Sequence, residues 1–223
     1  MAVVCDGLGG LSLGEVASGN VILAFDKWFK EQFMAPGAEW TGESIRNSWE
    51  DIIYSMNQKI KEYGASQGVE MGTTITAVLV LKDKYYAIHV GDSRLYELSD
   101  GCRQITEDQT LIARELAQGI ITKEQALTDS RRNVLLQCIG VTQKLLPAFY
   151  SGNINGEAAY LVCSDGFRHV ITPDEIYQLC RPLQNLTQKV MQVNLTSLVE
   201  RVKQRGERDN ISAVLIQVGR ETC

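Results

Sequence analysis

Two nearly all-apolar, β-branched runs with a short charged turn between them limit most strongly what this chain can fold into. They are residues 73–81 and 85–90, and Lys82-Asp83-Lys84 joins them. Runs of this kind are typical of paired strands that are covered on at least one face. Residues 95–106, with a Ser-Asp-Gly turn in the middle, predict a second hairpin. The central part of the chain is therefore predicted to be antiparallel β-structure.

Helical periodicity takes over on both sides of these strands. Residues 14–33 predict a first helix, and residues 41–63 predict a second one with a continuous apolar stripe. Further along, Thr172, Pro173 and Glu175 supply an N-cap, a proline at the first helical position and a capping box. Because helices come in pairs and strands in antiparallel runs, the pattern predicts an α+β fold with helices packed on sheets.

The composition restricts domain count, partners and location. The 223 residues fit one domain, residues 1–223, and 44% apolar residues suffice for a large core. The net charge of −5 gives no electrostatic footprint for nucleic acid. No apolar run approaches the ~18 residues of a membrane span, and we expect no signal peptide. Six scattered cysteines without a C-x-x-C pair indicate reduced thiols. We therefore expect a cytoplasmic protein without nucleic-acid or membrane partners.

Three aspartates share one local design. Asp6, Asp165 and Asp209 each lie at one end of an apolar run that is predicted to be a strand. A carboxylate beside a buried strand needs a partner, because burying a lone charge is costly. The partner is either an Arg or Lys or a divalent cation, and an all-oxygen ligand set favours Mg²⁺ or Mn²⁺. The alternative is that these residues only form turns, since Asp-Gly and Asp-Asn are common turn pairs.

The segments around these aspartates resemble, in order, the motifs of the metal-dependent protein phosphatase family, type 2C (PPM), in its bacterial Ser/Thr phosphatase form. The resemblance covers nearly the whole chain. Two segments, 105–108 and 131–135, resemble the two ends of the family's mobile flap. The other matches are residues 4–18 with D-G-M-G-G-x-x-x-G-E-x-A-S, 71–74 with M-G-T-T, 90–96 with V-G-D-S-R-x-Y, 163–166 with C-S-D-G, and 209–211 with D-N-I.

The resemblance implies a role for each matching position. Asp6 would bridge two metal ions, Mn²⁺ or Mg²⁺, and Gly7 would offer its carbonyl oxygen to one of them. Asp165 and Asp209 would complete the first metal site, so Asp6, Asp165 and Asp209 would be the catalytic set. Asp92 would help to hold a weaker third ion. A flap at about residues 107–133 would shape substrate access, with an ordinary surface insertion as the alternative.

The implied fold is an α/β/β/α sandwich, in which two mainly antiparallel sheets pack together and helix pairs flank them. The family pattern normally begins further upstream, with a strand that carries a phosphate-binding arginine and a metal-binding glutamate. We therefore expect the first strand to be missing or truncated and one sheet edge to be unpaired. Either the chain is an N-terminally incomplete form of an ordinary phosphatase, which we favour, or it is a degenerate relative. Gln109 stands where a flap histidine is common.

The implied activity is hydrolysis of phosphoserine or phosphothreonine in proteins, by direct attack of a hydroxide that bridges two metal ions. The substrates would include a Ser/Thr kinase. Cys163 is not a candidate nucleophile, because no C-x5-R phosphate loop surrounds it. A competing hypothesis is a catalytically weak or inactive phosphoprotein-binding or regulatory module of the same fold. A third is a phosphatase that acts on a sigma-factor regulator, against which the complete flap-like segment argues.

Overall fold

The structure, a computed structural model, describes residues 1–8, 13–182 and 187–219. These ranges contain the strands β1 (Ala2–Val4), β2 (Ile75–Leu81), β3 (Lys84–Val90), β4 (Arg94–Leu98), β5 (Cys102–Gln104), β6 (Ala148–Asn153), β7 (Ala158–Cys163) and β8 (Ala213–Val218). The strands form two four-stranded antiparallel sheets, one in the order β1-β2-β3-β6 and the other in the order β5-β4-β7-β8.

The three helices that the sequence analysis predicts are present. The first predicted helix, residues 14–33, is an α-helix that continues as a π-helical turn to Phe33. Thr41 caps the second helix by accepting a hydrogen bond from the Ser44 N–H, and the helix runs four residues beyond the predicted end. The α-helices are α1 (Gly14–Trp28), α2 (Gly42–Gln67), α3 (Leu111–Ala117), α4 (Lys123–Thr128), α5 (Asp165–Arg168), α6 (Pro173–Cys180) and α7 (Gln188–Gln204).

The two apolar runs that dominate the sequence form the centre of the first sheet. β2 and β3 pair along their whole length, from Ile75 opposite Val90 to Leu81 opposite Lys84. The chain reverses through Lys82, which has a positive φ of 55°. β6 then pairs with the other side of β3. This register places the last residue of β3 beside the first residue of β2, at the same end of the sheet.

Three apolar clusters separate four layers. One lies between the helices α1 and α2 and the first sheet, and Phe25, Trp28 and Trp49 pack there with ring centroids 5.7–5.9 Å apart. The next lies between the sheets, where Tyr85 contacts Tyr160. The last packs α6 and α7 on the second sheet. The predicted α/β/β/α sandwich is therefore confirmed.

The edge strands β1 and β8 lie on the same side of the two sheets. Within the described ranges, β1 pairs only with β2, and β8 pairs only with β7. The two strands also contact each other across the layers. In the same ranges, no helix combines the length and apolar character that crossing a membrane requires.

Candidate functional site

Carboxylates from four separate segments line one cavity of about 570 Å³. Asp6 follows β1, and Asp92 lies between β3 and β4. Asp165 begins α5 directly after β7, and Asp209 precedes β8. Gly7 lines the same cavity. The fold thus brings together all five positions that the sequence indicates as metal ligands.

The position of Asp6 is set by the threonines at the start of β2. The Thr74 N–H donates to the Asp6 carbonyl at 2.9 Å, and the Asp6 N–H donates to the Thr74 hydroxyl at 3.1 Å. The Thr73 hydroxyl also donates to the Asp6 carbonyl, at 2.9 Å. Both threonines are buried. These hydrogen bonds all involve the backbone of Asp6, so they fix its position and leave its carboxylate free to face the cavity.

Ser164 joins the segments that carry Asp165 and Asp209. Its N–H donates to the Ser212 carbonyl at 3.0 Å, and its hydroxyl accepts the Ser212 N–H at 3.1 Å. The same hydroxyl donates to the Asn210 carbonyl at 3.2 Å. These contacts hold the two aspartate segments side by side, so Ser164 and Asn210 support the site.

Gly7 lies at a close approach of two backbone segments. A Cβ on Gly7 would lie 2.3 Å from the carbonyl oxygen of Gly14, at the start of α1. No other residue fits there without moving the backbone, so the glycine is needed for the turn itself. That its carbonyl binds a metal stays a prediction. Gly9 and Gly10 of the same motif lie outside the described residues.

Asp92 is placed by a tight turn at the end of β3. Gly91 has a φ of 112°, and a Cβ there would lie 2.5 Å from the Thr74 side chain. The Gly91 N–H donates to the side-chain oxygen of Gln109 at 2.9 Å, and the Gln109 N–H donates back to the Gly91 carbonyl at 2.8 Å. Gln109 thus ties the Asp92 turn to the start of segment 107–133.

Two arginines and two aspartates form a charged group beside this turn. Arg94 donates to both carboxylate oxygens of Asp108 at 2.7 Å. The Nη2 of Arg168 lies 3.3 Å from Asp108 Oδ2 and 3.7 Å from Asp92 Oδ2. It also donates to the Asp92 carbonyl at 3.1 Å. Asp92 therefore faces a guanidinium group on one side and the cavity on the other.

Burial and neighbouring carboxylates raise the pKa values of Asp6 and Asp92. Burial raises the pKa of Asp6 to about 8, and the charges of Asp165, Asp209 and Asp92 act in the same direction. Burial and Asp165 raise the pKa of Asp92 to about 7, although Arg168 acts in the opposite direction. Negative charges gathered in a partly dry cavity disfavour each other's ionised forms. A bound divalent cation would reverse this effect.

The donor set fits a hard divalent cation. All side-chain donors at the cavity's acidic wall are oxygen atoms, as Mg²⁺ and Mn²⁺ prefer. Within the described ranges, no three His, Cys, Asp or Glu side chains form a closed ligand cluster by themselves. Asp209 is also exposed. An ion here would therefore take further ligands from backbone oxygens or water, as Mg²⁺ usually does.

Three other side chains that could carry chemistry, those of His89, His169 and Cys163, lie in surroundings that suit a structural role. His89 is fully buried in β3, its Nδ1 lies 2.8 Å from the Thr76 hydroxyl, and burial lowers its pKa to about 4. From the sequence, a surface position is expected for His169, but its side chain is only 18% exposed and lies between Asp165 and Glu207, at 3.5 and 3.2 Å. Burial raises the pKa of Cys163 to about 12, which suits a core thiol.

Some residues at the site were not singled out from the sequence. Glu70 and Asn133 line the cavity, and Arg168 contacts Asp92 from behind. Only Arg168 carries a signal that could have been used: it lies three residues after Asp165, so a short helix there puts both on neighbouring faces. Glu70 and Asn133 reach the cavity through long-range folding that no local pattern encodes.

The sequence profile of the family described as Protein phosphatase 2C matches residues 1–202. The "Serine/threonine phosphatase stp" of Listeria innocua is 30% identical over 220 residues, which cover 97% of this chain and 84% of that protein. "Protein phosphatase PhpP" of Streptococcus pneumoniae is 26% identical and covers 99% of this chain and 87% of its own length.

Solved structures of bacterial phosphatases share the fold. The serine/threonine phosphatase Stp1 from Staphylococcus aureus superposes with a TM-score of 0.84 at 26% identity, over 97% of this chain and 82% of that one. The catalytic domain of the serine threonine protein phosphatase PstP, in complex with two manganese ions, gives a TM-score of 0.78 at 27% identity, over 97% and 86%. The chain therefore belongs to the protein phosphatase 2C family, and it is a PPM-type phosphatase related to bacterial serine/threonine phosphatases.

Proposed function

We propose that this chain hydrolyses phosphoserine and phosphothreonine in proteins, with two divalent ions bound at Asp6, Asp165 and Asp209. The observation that carries this proposal is the convergence of these carboxylates, from both sheets, on one cavity. The raised pKa of Asp6, beside the charges of Asp165 and Asp209, points to a cation as the missing partner. The two manganese ions in the PstP complex support the same number and kind of ion.

Each aspartate has its own proposed role. Asp6 reaches the cavity from the first sheet and would bind both ions, with the Gly7 carbonyl as a further ligand of one. Asp165 and Asp209, on segments of the second sheet, would complete the site of the other. When two such ions are bound, they lower the pKa of a shared water and offset charge on the phosphoryl group. The chain contributes the carboxylates that would hold the two ions side by side.

The substrate class follows from the shape of the site and from the relatives. Asn133, which lines the cavity, is exposed to solvent, so the cavity can admit a phosphorylated side chain on a protein surface. We propose that segment 107–133, containing α3 and α4, is a flap over this side. The names of the relatives support serine and threonine phosphates. A Ser/Thr kinase is a proposed substrate, and its setting would be the bacterial cytoplasm.

The test is Mn²⁺-dependent hydrolysis of a phosphothreonine peptide by the protein and by Asp165→Asn. We expect turnover that needs Mn²⁺ and falls by at least about 100-fold in the variant, because a ligand that acts in the transition state is lost. Asp51→Asn is the matched control, since Asp51 is exposed on α2 and does not line the cavity. Mn²⁺ binding without any turnover would instead support the inactive binding module.

A further inference from the structure

We propose that Arg168 takes the place of a third divalent cation beside Asp92, so that this chain holds two ions at its site and not three. The inference concerns the metal content of the phosphatase site and rests on the function proposed above. It departs from the sequence-based expectation of a weaker third ion at Asp92, which the structure does not test.

The first argument is position. Arg168 is the last residue of α5, the short helix that Asp165 begins, so one rigid turn carries both residues. Its Nη2 lies 3.7 Å from the Asp92 carboxylate and 3.1 Å from the Asp92 carbonyl oxygen. A guanidinium that bonds the backbone and faces the carboxylate of one residue is held beside it. Asp92 therefore has a positive partner supplied by the chain.

The second argument is charge. Asp108 already has a bidentate partner in Arg94, so its charge does not require Arg168. When both carboxyl groups are ionised, the four side chains together carry two positive and two negative charges. A divalent ion at Asp92 would add positive charge next to a guanidinium that cannot lose its proton. Like charges at this distance in a partly buried site repel each other, which weakens binding of such an ion.

The third argument is accessibility. The Arg168 side chain is 13% exposed, and it is not among the described residues that line the cavity, whereas Asp92 is. Arg168 thus supports the cavity wall from behind. A phosphate group entering the cavity would meet Asp92 first. The placement suits an arginine that balances a carboxylate better than one that binds the substrate phosphate.

One experiment tests the ion pair without metal. In EDTA, we would compare the Tm values of the protein, Arg168→Met, Asp92→Asn and the double variant. If Arg168 is the partner of Asp92, Arg168→Met lowers the Tm more when Asp92 is present than when Asp92→Asn is also made. Equal shifts in both backgrounds would mean that the two residues are not coupled, which overturns the proposal whatever the activity of the protein.

The second experiment counts ions by calorimetric titration with Mn²⁺. We expect Asp92→Asn to leave the number of bound ions unchanged in the otherwise unaltered protein. Arg168→Met should add a weak binding event that disappears in the double variant, and Arg168→Lys should not add it. Loss of one ion in Asp92→Asn alone would sink the idea, even if Arg168→Met did not fold.

Enzyme kinetics then separate this proposal from the proposed function. An Arg168→Met variant that raises KM for the phosphopeptide, with unchanged Mn²⁺ stoichiometry, would show a substrate-binding arginine and would contradict the inference. Asp165→Asn, by contrast, tests the phosphatase itself through the loss of tightly bound Mn²⁺. The two proposals therefore fail on different variants.

Discussion

The backbone of Gly166 passes so close to Asn210 that a Cβ on the glycine would lie 2.4 Å from the Asn210 carbonyl oxygen. It would also lie 3.1 Å from the Cβ of Asp209. Gly166 directly follows Asp165, so this contact sets how closely the segments of Asp165 and Asp209 can approach. The missing side chain is thus a condition for bringing the two carboxylates to one cavity.

Gly166→Ala should therefore separate these segments. We expect the free energy of unfolding to fall by about 1–3 kcal/mol, as at overpacked sites. The affinity for Mn²⁺ should fall by a larger fraction of its original value than the free energy of unfolding does. Urea unfolding and Mn²⁺ titration measure the two effects. Gly19→Ala, inside α1, is the matched control, because its Cβ would meet nothing within 4 Å. It should stabilise the protein by about 0.5–1 kcal/mol. Unchanged Mn²⁺ affinity in Gly166→Ala would contradict the prediction.

Thr74→Val should destabilise the Asp6 turn although it keeps the side-chain shape. The substitution leaves the Asp6 N–H without its acceptor and removes the 2.9 Å bond between the hydroxyls of Thr74 and Ser93. A buried polar group left unpaired costs about 1–3 kcal/mol. We expect that loss in urea unfolding, together with weaker Mn²⁺ binding. Thr74→Ser, which keeps the hydroxyl, should retain most of both properties, and equal losses in the two variants would point to packing instead.

Metal removal should expose the repulsion among the carboxylates. In EDTA at neutral pH, Asp6→Asn should have a higher Tm than the unaltered protein, because folding disfavours the ionised form of Asp6, whose pKa is raised to about 8, and asparagine avoids this cost. A change of ~1 kcal/mol corresponds to about 2–4 °C in a chain of this size. Added Mn²⁺ should reverse the order, since a ligand at about 100 times its Kd adds about 2.7 kcal/mol to the unfolding free energy. Asp51→Asn should show neither effect, and a lower Tm of Asp6→Asn in EDTA would refute the account.

Glu175 should make stability depend on acid pH. Hydrogen bonds from Arg205, the Thr172 N–H and Arg201 hold the pKa of this carboxyl well below its ordinary value. A lowered folded-state pKa stabilises the protein above the unfolded pKa of ~4.3, and the contribution is lost as the pH falls through the folded value. Glu175→Gln should therefore lower the Tm at pH 7 and leave it nearly unchanged near the acid limit of folding.

The control for this prediction is Arg205→Gln, which removes the arginine that contributes most to the lowered pKa of Glu175. Since glutamine can still close the capping box with Thr172, Glu175→Gln tests the charge and not the cap. Thermal unfolding followed at several pH values measures both variants. A Tm difference that stays constant from pH 7 downward would show that charge is not involved.

The sequence predicts the parts of this fold that have a strong period. The β2–β3 pair, the stripe of α2 around Trp49 and the capped start of α6 all formed as expected. β6 was missed, because Ala148–Asn153 is short and half-exposed and contains a glycine. A strand of that kind forms through pairing with β3, and its own sequence carries little preference.

The candidate site, too, has residues that the sequence predicts and contacts that it does not. The aspartates were identifiable because each follows or precedes an apolar run. The contact of Arg168 with Asp92 was not, since it joins residues 76 positions apart and depends on how β7 and α5 pack against the turn after β3. The partly buried position of His169 has the same origin, because Glu207, just after α7, contacts it.

The cavity straddles the joint between the two sheets. Asp6 extends from the first sheet, whereas Asp165 and Asp209 extend from the second, and the apolar layer around Tyr85 and Tyr160 lies between the two sheets. Ions shared by these carboxylates would link the two sheets to each other. The distance between the carboxylates then depends on the offset between the sheets, so a substitution deep in the inter-sheet core can alter catalysis without touching the cavity.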